Sequence, residues 1–68
     1  MKEVKSSNIH SIGWKDGTLS VRFKSNDKHV YEYADFSEAD WKAFESAESH
    51  GKHFLAHIKG RYFTKRDA

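Results

Sequence analysis

Apolar and polar residues alternate from Ile9 to Lys15 and again from Thr18 to Lys24, the period-two signature of strands with one buried face. Asp16-Gly17 separates the two runs. A two-residue Asp-Gly link selects a type I′ turn, because both central residues must adopt positive φ. Such a turn fixes the register, so Trp14 is expected opposite Leu19, Ile12 opposite Val21 and His10 opposite Phe23, all on the core face. Ser11, Gly13, Lys15, Thr18, Ser20, Arg22 and Lys24 then form an opposite face that is polar and wet.

A third strand is expected over His29 to Ala34, and the turn Ser25-Asn26-Asp27-Lys28 decides which side of it is buried. A loop of even length pairs Phe23 with Val30 and buries Glu32. An odd loop or a bulge pairs Phe23 with Tyr31 and Val21 with Tyr33. Burying an unpaired carboxylate is costly, so the second arrangement is preferred and makes Tyr31 and Tyr33 core residues. Under the first they stand on the wet face beside Arg22 and Lys24, an aromatic and basic platform suited to single-stranded nucleic acid.

Period 3.6 takes over after Phe36. Ser37 with Asp40 three residues on reads as an N-cap, with Phe36 at the staple position and Glu38 and Asp40 suiting the positive helix terminus. Trp41 and Phe44, with Ala43 and Ala47, give this helix an apolar side, and Ser46 to Gly51 has the composition of a break. Ser49 or His50 caps a second helix whose core stripe is Phe54, Leu55, Ile58 and Tyr62. Gly60 suits the residue after the helix end, which would fold Tyr62 back onto it. Thr64 to Ala68 is expected to fray. The chain therefore reads as α+β, a three-stranded antiparallel β-meander followed by two helices packed on one face, with one domain over 1–63 and a basic frayed tail over 64–68.

Composition narrows the function classes. Sixty-eight residues without cysteine can bury one core, held by apolar packing with no disulfide or thiolate metal site to brace it. Phe, Trp and Tyr make up 15% of the chain, enough large rings for so small a core. No apolar run approaches a membrane span and MKEVKSSN has no hydrophobic leader pattern, so a cytoplasmic location is expected. Charge is segregated: residues 1–48 hold seven Lys and Arg against nine Asp and Glu, residues 49–68 five against one. Lys52, Lys59, Arg61, Lys65 and Arg66 are thus the candidate anion-binding set, ringing the second helix and its tail.

Catalytic chemistry is not supported. The four glycines are dispersed and form no phosphate cradle, and Ser6-Ser7 suits turn formation better than nucleophilic attack without a placed base. His53 and His57 at i, i+4, with His50 on the same side, have spacing that permits metal chelation. The second helix offers no carboxylate to complete a shell, so they read as a basic surface flank next to Arg61. No cofactor and no metal site is expected.

One series of residues has a familiar spacing: Val4, Ser6-Ser7, Ile9, Ile12-Gly13-Trp14, Leu19, Val21, Phe23, Tyr31-Glu32-Tyr33, Ala47-Glu48-Ser49-His50-Gly51, Phe54, Ile58 and Tyr62. It resembles the KTSC domain, whose hallmark is the Tyr-x-Tyr pair. Trp14 stands where that family usually has tyrosine, Ser37 where a proline often opens the first helix, and the turn over 25–28 lacks a glycine. The resemblance brings no catalytic activity. It implies a short domain that stands alone in small bacterial and phage proteins or follows some lysyl-tRNA synthetases, and through that company a nucleic-acid role. The function expected is a non-enzymatic binding module for RNA or single strands through the C-terminal basic residues, with Arg22, Lys24, Tyr31 and Tyr33. The alternative is a protein-interaction module, an adaptor or inhibitor docking on a larger machine. Either fits a monomer or weak homodimer.

Overall fold

Asp16 and Gly17 have φ of 51° and 81°, the two positive values a type I′ turn requires. The strands they join pair Trp14 with Leu19 and Ile12 with Val21, as the turn dictates. A computed structural model describes residues 1–67. Its elements are β1 (Lys2–Glu3), β2 (Ile9–Lys15), β3 (Thr18–Phe23), β4 (Asn26–Tyr33), α1 (Glu38–Glu45), α2 (His50–His57) and β5 (Thr64–Asp67). The five strands make one antiparallel sheet in the order β1-β2-β3-β4-β5. The expected meander is its centre, and a short strand is added at each edge. The α+β class holds, but residues 64–67 do not fray: they pair with β4, Lys65 lying opposite Tyr31 and Arg66 opposite Val30. Ala68 lies outside the described residues.

Two irregularities correct the expected register. Ile9, not His10, faces Phe23, because the ladder shifts between Ile9 and Ser11. The shift turns Ile9 onto the core side, where it is fully buried. On the next pair Val21 faces Tyr31 and Leu19 faces Tyr33, while Phe23 faces Asn26. Lys24-Ser25 is thus a tight link, and Asp27 to Val30 bulge out opposite the single residue Arg22. The Arg22 Nε donates to the Asp27 carbonyl at 2.7 Å, satisfying a backbone group that the bulge leaves without a ladder partner. The tyrosines therefore face the side of the sheet preferred from sequence, two residues away from the expected pairing.

Ser37 caps the first helix as expected, and of Ser49 and His50 it is Ser49 that caps the second. The Ser37 hydroxyl accepts from Asp40 N at 3.1 Å and that of Ser49 from Lys52 N at 3.3 Å. At the helix corner His50 Nε2 donates to the Glu45 carbonyl at 3.0 Å. Phe36 is clamped from two directions: its N–H donates to the Gly17 carbonyl at 2.8 Å, and its carbonyl accepts from the Trp14 indole at 2.8 Å. The link between sheet and α1 is thereby fastened to the β2–β3 turn. Ile9, Ile12, Leu19, Val21, Tyr33, Phe36, Phe44, Phe54 and Ile58 form the core between sheet and helices.

Two of the four residues of the predicted helix stripe fail. Phe54 and Ile58 are buried, but Leu55 is 56% and Tyr62 83% exposed. The helix stops at His57, and Gly60 with φ 99° turns the chain out of the helical path. Beyond it the spacing that matters is two, not 3.6. The outer sheet face is also less wet than expected: Ser11 is buried, and Met1 Cγ would sit 3.3 Å from a Cβ placed on Gly13.

Candidate functional site

The inner face of the sheet is not covered uniformly. Above β2 and β3 the residues Ile12, Leu19 and Val21 are sealed by the helices. Above β4 and β5 a groove of about 340 Å³ remains, walled by Phe23, Tyr31, Tyr33, Phe54 and Phe63, with Lys59, Gly60, Ser25 and Asn26 at its margins. Alternation along β4 places Tyr31 and Tyr33 on this side, and the backbone turn at Gly60 brings Phe63 across to meet them. Phe63 lies 5.1 Å from the Tyr31 ring and 5.7 Å from the Tyr33 ring. Phe23 meets Tyr31 edge-on at 5.2 Å, a geometry favoured by the ring quadrupoles. Tyr33 is almost fully buried, Tyr31 half-buried and Phe63 44% exposed, so ring faces become more accessible toward the sheet edge. Burial pushes the Tyr33 phenol up from its ordinary value, with Tyr31 beside it as a smaller cause, and so keeps it neutral.

The basic residues singled out from sequence divide into two groups. Lys59 lines the groove, and Lys65 stands opposite Tyr31 on β5. Directly paired residues share a face, which places Lys65 beside the same aromatic wall. Among the described residues neither lysine has an ion-pair partner, nor do Lys24 and Lys52. The arginines are occupied. Arg66 pairs with Glu32 at 3.2 Å, and Arg61 pairs with Asp40 at 3.6 Å, donates through Nε to the His57 carbonyl at 3.2 Å and lies 5.1 Å over the Phe36 ring. Arg22 serves the β4 bulge. Lys52 lies in the first turn of α2, and Lys24 in the β3–β4 turn, where its N–H donates to the Asn8 carbonyl at 2.8 Å. The structure thus gathers Lys59, Lys65, Tyr31 and Tyr33, and separates them from Arg22, Arg61 and Arg66. The outer-face platform of tyrosines with Arg22 and Lys24 does not form.

Sequence reasoning missed Phe63, Phe23 and Phe54 as groove walls. The signal was available at Gly60: once the helix ends there, period two aligns Phe63 with Lys65 and turns Tyr62 away.

His53 and His57 are neighbours, with ring centroids 4.5 Å apart, and His53 stacks on Phe44 at 5.5 Å. Burial lowers the His53 pKa, the neighbouring His57 and His50 lower it further, and Asp40 opposes them. Among the described residues no third donor joins the pair into a group that could hold a metal ion.

The KTSC domain family profile matches residues 5–62. The crystal structure of a KTSC domain protein from Yersinia pestis superimposes with a TM-score of 0.80 at 34% sequence identity, covering 98% of this chain and 93% of that one. No curated protein matches the chain. Among the described residues no helix is long and apolar enough to cross a membrane.

Proposed function

The chain belongs to the KTSC domain family, and from that premise we propose that it is a small non-enzymatic module that binds single-stranded nucleic acid, RNA in the first place, in the groove between α2 and the β4–β5 edge. The observation that carries this is the meeting of stackable rings and unpaired lysines at one groove: Tyr31, Phe63 and Lys59 line it, and Lys65 flanks it opposite Tyr31. A base stacked on an aromatic side chain contributes about 1–3 kcal/mol whatever its identity. Two lysines beside the rings are placed for the phosphates that follow the base. The site differs from the one expected from charge alone, since Arg61 and Arg66 spend their charge on Asp40 and Glu32. A cytoplasmic location and a monomer or weak homodimer accompany this reading.

An amide NMR titration with mixed short RNA and single-stranded DNA, at low and near-physiological salt, tests it. Shifts at Tyr31, Tyr33, Lys59, Phe63 and Lys65 that weaken with salt are expected. A spectrum unmoved at low salt would remove the proposal.

Exposed Leu55 and Tyr62 favour a second reading, a protein-interaction module, because both leave large apolar side chains outside the core. The β5 edge does not favour it, since Lys65, Arg66 and Asp67 crowd that strand with charges that discourage strand addition. Co-purification of one stoichiometric protein, insensitive to nuclease, would decide for it.

A further inference from the structure

The aromatic groove does not end at Phe23 and Phe54. On their far side lies a second hollow of about 300 Å³, reaching Ser7, Asn8 and Gly51. Phe23, Ser25 and Phe54 border both hollows. The two rings meet edge-on at 5.2 Å and stand between the compartments as a partition. One compartment offers ring faces, and the other sets the polar side chains of Ser7, Asn8 and Ser25 beside apolar Ile9 and Leu55.

The Asn8 backbone is tied down at the polar end. Its N–H donates to the Ser6 hydroxyl at 3.2 Å, and its carbonyl accepts from Lys24 N at 2.8 Å. The Ser6 hydroxyl also accepts from Ile9 N at 3.2 Å, so this loop is tied at its root. The Ser7 hydroxyl donates to Asn8 Oδ1 at 3.3 Å, which orients the side-chain amide. An amide oxygen has a second lone pair, and no hydrogen bond among the described residues engages Asn8 Nδ2. An exposed amide with a pinned backbone and a free donor beside an acceptor matches the edge of a nucleobase.

We infer that the groove seats two consecutive nucleotides, one base stacked among Tyr31 and Phe63 and its neighbour beyond the Phe23–Phe54 partition, hydrogen-bonded by Asn8. The inference rests on the nucleic-acid reading above and adds a sequence preference to it. Stacking accepts any base, whereas an amide edge discriminates among them, so preference resides at the Asn8 position alone.

The test compares nucleoside monophosphates with the four RNA homodinucleotides by amide NMR, followed by affinity measurements on Asn8→Ala. Monophosphates should shift Tyr31, Lys59 and Phe63 only; dinucleotides should also shift Ser7, Asn8 and Gly51. Asn8→Ala should level the differences among the four dinucleotides, weaken the best by about threefold to tenfold and leave monophosphate affinity unchanged. Dinucleotide shifts confined to the aromatic compartment, or an Asn8→Ala variant with the base preference intact, would overturn the two-nucleotide assignment while leaving the stacking site standing. Absence of shifts with every ligand would overturn both together.

Discussion

The inner face of a single sheet is finished differently at its two sides. Over β2 and β3, Ile12, Leu19 and Val21 are fully buried beneath Phe44 and Ile58. Over β4 and β5, the same face shows Tyr31 and Phe63 to solvent along a groove. The difference follows from length and side-chain type. An eight-residue α2 is about 12 Å long and cannot roof five strands. Aliphatic residues fill the part it covers, and the aromatic rings of Tyr31 and Phe63 occupy the part it leaves. What distinguishes core from site here is the reach of the helix, since the strands are continuous beneath both.

The contrast can be broken most severely on the sealed side. Leu19→Ala should lose about 2–5 kcal/mol of stability, because the cavity left behind cannot collapse under the helices. A shift of the urea midpoint is the readout, and a loss below about 1 kcal/mol would show that this half is less tightly packed than described. On the open side Tyr31→Ala should reverse the balance. Its edge-on pair with Phe23 is worth about 0.5–1.5 kcal/mol to the fold, whereas removing the stacking ring should weaken single-strand affinity by about tenfold.

Charge sharpens the comparison further. Reversing Lys59 and Lys65 together to Glu should flatten the salt dependence of binding by about 1.4 units of log K per log salt, as loss of two phosphate contacts predicts, with the urea midpoint nearly unchanged. Arg66→Gln is the matched control, since its ion pair with Glu32 already occupies it. Equal effects from both changes would mean that the groove does not select among the basic residues.

The smallest expected effect is a pH dependence on the helix side. With the folded His53 pKa below 6.5, the unfolded chain binds the proton more readily than the folded one. Stability should therefore fall as pH drops below about 6.5 toward the folded value, and level off beneath it. Burial is the largest cause of the shift, His57 and His50 add to it, and Asp40 opposes it. Thermal midpoints of wild type and His53→Gln between pH 7.5 and 5 should diverge in that window; parallel curves would deny His53 the role.

How legible these two halves were from sequence differs for the same physical reason. The sealed side announces itself: Asp16-Gly17 fixes a register, alternation marks the buried face, and Ser37 and Ser49 cap the helices above it. The open side and the sheet's irregularities and edges are built by features that leave weak local signals. Lys2–Glu3 and Thr64–Asp67 are charged edge strands whose pairing depends on a partner strand and on no hydrophobic pattern of their own. The Asp27 to Val30 bulge depends on one arginine reaching a carbonyl, and the ladder slip near His10 on the burial of Ile9. Tyr62 and Leu55 were misplaced because helical periodicity was extended to side chains that α2 does not bury. The charge segregation of the C-terminal third is real, but which cations are free became visible only with their partners.

The late return of β5 has a consequence for how the domain comes into being. The first four strands follow one another along the chain and can zip by short turns, whereas β5 joins β4 only after both helices have been traversed. Closing that longer loop costs more chain entropy, so it should be the last pairing made. Leu19 and Val21 can be buried beneath Phe44 and Ile58 before Lys65 pairs opposite Tyr31 and completes the sheet edge. The domain would thus acquire its stability first and its proposed binding groove last.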